Sequence, residues 1–268
     1  MTAPEGRAPG AGSHGAPVEG AVFDMHCHLD FAPDARAAGE DAHERLAGAF
    51  SVTVTPAGYV RAARELAGLE RVRTGLGLHP WRIADGTCGD DELAAFERLA
   101  RCERFIGEVG LDFARDRAAT REAQLAAFDR VAAACAGGGK VLSIHAVRAA
   151  GDALDVLGRR GALDGNACVF HWFSGTSDEL QRALRAGCFC SVNPRMLASK
   201  RGRAYARAIP EGRLLLETDE PAEEGAAYDA RGARLRLERM IDDLAALRGA
   251  PRDELAARIA RTSAELLS

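Results

Sequence analysis

The sequence predicts an α/β protein, a single domain folded as a (β/α)8 barrel. Eight short runs of apolar and β-branched residues alternate with longer Ala-, Leu-, Arg- and Glu-rich stretches. That is the pattern of a parallel sheet wrapped in helices. The alternation fills about 250 residues, the usual length of one such barrel. No Gly-rich turn follows the first strand, so the strongest mark of a doubly wound open sheet is missing.

The first twenty residues, "MTAPEGRAPGAGSHGAPVEG", hold twelve Gly, Pro or Ala and no apolar core of a signal peptide. They are expected to be a disordered tail, with the barrel domain spanning 21–268. The strands are then expected at "AVFDMHCH", "FSVTVTP", "VRTGLGLHP", "RFIGEVGLD", "VLSIHAV", "CVFHWFSG", "CFCSVNP" and "LLLETDEP". Helical spacing recurs in "DELAAFERLARC", "TREAQLAAFDRVAAACA", "SDELQRALRAG" and "KRGRAYARAIP". Two long helices close the chain, "ARLRLERMIDDLAALRG" and "PRDELAARIARTSAELLS". The second opens on a proline, as helices tolerate at their first position.

Composition bounds the function. The 268 residues carry 35 basic and 39 acidic side chains, a net charge of −4, with a pI near 6.0. Duplex-binding proteins usually show a basic face, so affinity for nucleic acid must here be local or supplied by bound cations. The seven cysteines have no framework spacing. They read as reduced core thiols, which points to the cytoplasm. No apolar run reaches the roughly 18 residues of a membrane span, so no membrane partner is expected.

The polar residues carry the chemistry. Side chains two apart on a strand share a face. His26 and His28 should therefore point together, with Val22 and Asp24 below them and Met25 and Cys27 turned to the helices. His79, Glu108, His145, His171 and Asp219 fall at the ends of strands three, four, five, six and eight. In this architecture those ends form the site-bearing mouth. One histidine or acid at a strand end is ordinarily structural, bonded within the fold. Four histidines and two acids gathered at one mouth would make a poor core, and divalent cations relieve both desolvation and repulsion. Imidazole with carboxylate suits Zn, Mn or Co, while carboxylate-rich sites suit Mg. Six ligands exceed the four one zinc takes, so two divalent ions are expected, with Glu108 central enough to bridge them. Cys188 and Cys190 share one strand face and read as packing.

These segments also carry a resemblance. "DMHCHLD", "GLHPW", "IGEVGLDF", "LSIHA", "FHWFSG" and "LLETDEP" resemble, in order and spacing, the TatD-like metal-dependent hydrolases among the amidohydrolase-type TIM barrels. The likeness runs from about residue 21 to the end. It implies a two-metal nuclease acting on DNA, often from a 3′ end. It implies His26, His28, Glu108, His145, His171 and Asp219 as ligands and His79 as a contact to substrate phosphate. Residues 171–204 also resemble the TatD-type nuclease of the Qat phage-defence system, QatD. That implies an antiviral role and other proteins of a defence system as partners. The chain departs from the pattern at Val147, where many relatives carry Arg; Arg148 follows and is expected to serve. Trp172 stands where many relatives have Cys.

The combined expectation is a deoxyribonuclease with Asp219 as general base and Glu108 bridging the ions. His79, Arg148, Arg195 and Trp172 would hold the substrate, an unpaired strand or frayed end. The basic run Arg195, Lys200, Arg201, Arg203 and Arg207 would track phosphates, unless it is simply a solvated helix face. Trp81, Trp172 and Phe173 would stack a base, although Phe173 reads more readily as loop packing. The same barrel and ligands would serve an amidohydrolase or esterase acting on a small molecule. A non-catalytic subunit of a defence complex is the remaining alternative, and lost ligands would mark it.

Overall fold

The computed structural model describes residues 20–268. Residues 1–19 of the expected disordered tail lie outside the described residues. Eight parallel strands follow one another around the molecule in chain order. They are β1 Phe23–Cys27, β2 Gly48–Val52, β3 Val72–Leu78, β4 Phe105–Asp112, β5 Val141–Val147, β6 Ala167–Phe170, β7 Phe189–Val192 and β8 Leu214–Leu216. The ring closes where the chain beyond β8 meets β1. Asp219 N–H donates to His26 O at 2.9 Å, and His28 N–H donates to Glu220 O at 2.8 Å.

Between β1 and β4 lie α1 Ala35–Arg45, α2 Pro56–Glu65, α3 Pro80–Ala84 and α4 Asp90–Ala100. Then come α5 Arg121–Ala134, α6 Ala150–Arg159, α7 Ser177–Arg185, α8 Pro194–Ala198 and α9 Lys200–Ala208, with α10 Ala230–Arg248 and α11 Arg252–Leu267 closing the chain. All eight expected strands are present. Pro251 caps α11 rather than opening it. Helix α1 is polar and interrupted by Gly39, so its apolar periodicity is weak. The glycine has a packing reason. A Cβ there would lie 2.4 Å from a Leu66 methyl, so its absence lets α1 approach the end of α2 closely.

Two apolar clusters divide the interior. The larger takes Leu142, Ile144, Phe170 and Leu216 from the outward strand faces and packs them on Phe128, Leu157, Leu180 and Leu237 of the helices. The smaller joins Met25, Phe50, Val52, Val141, Val169 and Leu215 with Leu267. Its members come from strands all around the ring, so it fills the barrel's own interior. Each such side chain contributes roughly 1.5–3 kcal/mol when fully buried.

Met25 corrects the expected alternation of β1. The register against β2 shifts between Asp24 and Cys27. This bulge adds one residue to the strand, so Met25 joins the interior cluster while Val22 and Cys27 pack with the helices. Asp24 is fully buried and accepts from Thr218 N–H at 3.0 Å and Thr218 Oγ–H at 2.6 Å. The bulge allows His26 to turn inward one residue after Met25. Among the described residues no helix is long and apolar enough to cross a membrane, and all seven cysteines are free.

Candidate metal centre

The mouth of the barrel collects the polar residues of five strands around one carboxylate. Glu108 is 4% exposed. It lies within β4 rather than at its end, because β4 runs on to Asp112. Its Oε1 lies 2.8 Å from His145 Nδ1, 3.0 Å from His171 Nε2 and 3.1 Å from His79 Nε2. Its Oε2 lies 3.5 Å from His28 Nε2 and 3.7 Å from His26 Nε2. Asp219 Oδ1 faces the same pair, 3.4 Å from His28 Nε2 and 3.5 Å from His26 Nε2. His26 stacks on His171 with centroids 4.0 Å apart. A second register shift, between Ile106 and Glu108, turns Glu108 inward by the same device that turns His26.

Backbone detail at β4 makes this possible. Gly110 has φ +145°, and a Cβ there would lie 2.0 Å from His145 O. Only glycine allows β4 and β5 to approach this closely at the level of the ligands.

Hydrogen bonds fix which ring nitrogens are available. His28 Nδ1 lies 3.0 Å from Val52 O, an acceptor only. Nδ1 therefore carries the proton, and in the neutral ring Nε2 is a bare lone pair. That lone pair sits 3.2 Å from His26 Nε2. His26 Nδ1 lies 2.7 Å from the Ser143 hydroxyl, so a proton or a cation between the two Nε2 atoms satisfies both rings. His79 is different. It caps α3, and its Nδ1 accepts the Trp81 N–H at 3.1 Å. Its proton then lies on Nε2, which makes His79 a donor to Glu108 or to a bound anion.

Burial and neighbours set the charges. Burial and the nearby His171 charge hold His26 well below the usual imidazole range. Burial pulls His28 down too, yet the hydrogen bond to Asp219 and the Glu108 charge carry it up to about 9. Burial takes His79 down to about 4. Burial pushes Glu108 up, but the surrounding imidazoles, His79 and His171 first, keep it ionised well below the carboxylate range. Asp219 is likewise pushed up by burial and drawn down by its His28 hydrogen bond and the His26 charge, to about 2.

Three groups of side chains lie close enough to hold an ion: His26, His28 and Glu108; His26, His171 and Asp219; and His79, Glu108 and His145, the last only if His79 Nε2 gives up its proton. All six expected ligands therefore meet in one place, and His79 stands directly among them. Two acids that sequence reasoning passed over support them. Asp112 Oδ2 lies 3.3 Å from His145 Nε2 and accepts from Trp81 Nε1 at 2.5 Å. Glu217 is fully buried and lies 3.6 Å from His171 Nδ1. It also accepts from the Trp172 N–H and from Asn193 Nδ2, both at 3.1 Å, and from the Ser191 hydroxyl. Both acids sit inside the quoted strand-end segments, but nothing in their type or spacing separated them from ordinary loop carboxylates.

The centre opens into a cavity of about 840 Å³ whose lining includes His28, His79, Trp81, Trp172, Arg195 and Arg201. Arg148 is the exception among the expected substrate contacts. It is exposed, has φ 53° and is absent from the lining, whereas Val147 is part of it. The chain leaves β5 there through a left-handed residue to start α6, which carries Arg148 off the cavity wall. Phe173 is 3% exposed and belongs to the core, as loop packing required. Cys188 and Cys190 lie in the helix-facing cluster.

Comparison with known proteins follows the geometry. A family profile described as TatD related DNase matches residues 23–268. A protein of Musicola paradisiaca (strain Ech703) named 3′-5′ ssDNA/RNA exonuclease TatD is 35% identical over 150 residues, 54% of this chain and 55% of that one. A protein of the same name from Erwinia tasmaniensis is 30% identical over 202 residues, 72% of this chain and 76% of its own. For several of these curated relatives the chain spans only about half their length. Among solved structures, the TatD homologue YJJV of Escherichia coli k12 superposes with a TM-score of 0.71 at 22% identity, covering 91% of this chain and 97% of that one. A TatD family hydrolase of Entamoeba histolytica gives 0.72 at 16% identity, covering 92% and 97%. These two likenesses establish the barrel.

Proposed function

Because the chain belongs to the family of TatD-related DNases, we propose that it is a metal-dependent nuclease. It would hydrolyse phosphodiester bonds of DNA, acting from the 3′ end of a single strand or frayed terminus. The observation that carries this reading is Glu108, one buried carboxylate touching three imidazoles and facing two more at the floor of a cavity edged by arginine.

The donor set fits divalent cations. The Nε2 atoms of His26 and His28 lie 3.2 Å apart with the Glu108 and Asp219 carboxylates beside them, a set of ligand atoms that positive charge would hold together. His26, His28, Glu108, His145, His171 and Asp219 would hold two ions, with Glu108 shared between them. Zn, Mn, Co and Mg are the candidates this mixed set admits. Such ions lower the pKa of a bound water and neutralise charge on phosphoryl oxygens.

The chain's own groups do the rest. Asp219, held ionised, accepts the proton of the attacking water as general base. His79 Nε2–H donates to a non-bridging phosphate oxygen, its orientation fixed by the Trp81 N–H on the other ring nitrogen. Arg195 and Arg201 are exposed on the cavity wall and hold the phosphate and its neighbour. The direction from a 3′ end follows the names of the relatives. A place in a phage-defence assembly rests on the resemblance of residues 171–204, and a pull-down from phage-challenged cells is its test.

The function is tested on end-labelled single-stranded oligonucleotides, beside a panel of small esters and amides, with Mn, Zn or Mg added. Stepwise shortening from the 3′ end is expected. Asp219→Asn should keep the melting temperature and lower the rate by about 100-fold or more, the scale of a lost general base. Turnover of a small ester or amide with intact oligonucleotides would overturn the nuclease reading.

A further inference from the structure

Trp81 is nearly half exposed, at 45%, yet it is held firmly at the cavity rim. Its Nε1–H is bonded to buried Asp112 at 2.5 Å, and the Arg117 guanidinium lies 4.1 Å from its ring centre. Core packing alone does not account for a large aromatic fixed in place while nearly half exposed. Rigid exposed rings of this kind are what unpaired bases stack on, at about 1–3 kcal/mol per base. Trp172, packed in part against the core, presents a second ring to the mouth. It is half-buried, lines the cavity, and has Arg195 5.3 Å from its ring centre. Its backbone takes φ 39°, a conformation costly for a bulky residue, and its N–H is anchored on Glu217.

The two rings bracket the centre. Trp81 follows β3 and Trp172 follows β6, three strands on around the eight-stranded ring. Between them stand His145, its centroid 6.2 Å from that of Trp81, and His171, 5.4 Å further on and next in sequence to Trp172. We infer that Trp81 and Trp172 are two nucleobase seats on either side of the scissile phosphate. Each is paired with an arginine: Arg117, itself held by Asp116 at 3.0 Å, orders the ring of Trp81, and Arg195, on the cavity wall, orders Trp172 and serves the adjacent backbone phosphate. The inference rests on the nuclease reading and deepens it. The ligand class is a strand with both nucleotides flanking the cleaved bond unpaired, so the end of a duplex must open by about two base pairs before it is cut.

The test crosses enzyme with substrate. Single-stranded oligonucleotides carrying a base or an abasic residue at the last and next-to-last positions are given to the metal-loaded wild type, Trp81→Leu, Trp172→Leu and Trp81→Phe. Trp81→Phe keeps an aromatic face and loses only the bond to Asp112. Each Leu variant should raise KM about 10-fold on the substrate with bases, and much less where the base it would stack on is already missing. Trp81→Phe should keep most of its preference for a base. Independently, tryptophan fluorescence of chelator-treated protein should be quenched on adding an oligonucleotide, and less by one abasic at both positions. Equal losses for each variant on all substrates, with unchanged fluorescence, would overturn the seats while hydrolysis itself continued. Absence of hydrolysis of any oligonucleotide by metal-loaded wild type would instead strike the nuclease reading.

Discussion

Asp112 and Glu217 each stand one step behind a histidine that would hold metal, and their burial gives them consequence. Asp112 lies 3.3 Å from His145 Nε2, and Glu217 stands 3.6 Å from His171 Nδ1, close enough to orient it. A carboxylate behind a ligating imidazole fixes its tautomer and raises its basicity, and its loss typically costs 10- to 100-fold in metal affinity or activity. Asp112→Asn and Glu217→Gln should therefore keep the fold and weaken metal affinity by that factor, measured by competition with a chelating dye. Wild-type affinity in both would make the two acids purely structural. Residue type at strand ends was enough to find His26, His28, Glu108, His145, His171 and Asp219 in the sequence. These two acids were not legible. A carboxylate one or two residues from a ligand looks like any turn residue until the neighbouring strand places an imidazole against it. The position of Arg148, off the cavity wall, was hidden for a related reason, since one left-handed residue decides whether a side chain meets the cavity.

At the level of elements, all eight strands could be read from apolar alternation, but the backbone irregularities that aim the site could not. The bulges at Asp24–Cys27 and Ile106–Glu108 depend on pairing with a partner strand, which a run of residues does not reveal. Glycine marks one such place without naming it. Gly110→Ala should put a methyl group into the β5 backbone at His145 and lower the melting temperature markedly, with metal affinity falling as well. A variant that melts and binds metal like wild type would remove Gly110 from the account. The helical layer offers a milder case. Asp129 on α5 accepts from Arg159 at the end of α6 at 2.7 Å and from Arg160 beyond it. The Arg160 and Arg159 bonds hold its carboxyl down at about 2, although burial opposes them. A lowered folded pKa means stability that is present above the unfolded value near 3.9 and lost as pH falls toward 2. Asp129→Asn should lower stability at pH 7 by no more than about 1 kcal/mol. The gap to wild type should close by pH 2 in denaturant titrations. A gap that persists there would point to packing instead.

For the whole molecule, charge is the informative quantity. The chain is acidic overall, at −4, yet Arg195, Lys200, Arg201, Arg203 and Arg207 are all exposed on α8 and α9, and Arg195 and Arg201 line the cavity. A local basic tract on an acidic body favours a short length of single strand, and its affinity should fall with salt by a slope of about −0.7 per phosphate neutralised. Arg201→Ala with Arg203→Ala should weaken oligonucleotide binding and flatten that slope by about one unit, read from fluorescence anisotropy between 50 and 200 mM salt. An unchanged slope would return the tract to a solvated helix face. The barrel was legible from length and alternation. The pairing of this tract with the mouth required the order of strands in space.

The buried histidines and carboxylates at the mouth have the composition of a metal centre. The most direct test is metal content by mass spectrometry on protein purified without chelator, comparing wild type with the His26→Ala/His28→Ala double variant. About two divalent ions per chain are expected in wild type, with a clear loss in the variant. A wild-type protein that carries none, even after Mn, Zn or Mg is added back, would contradict it.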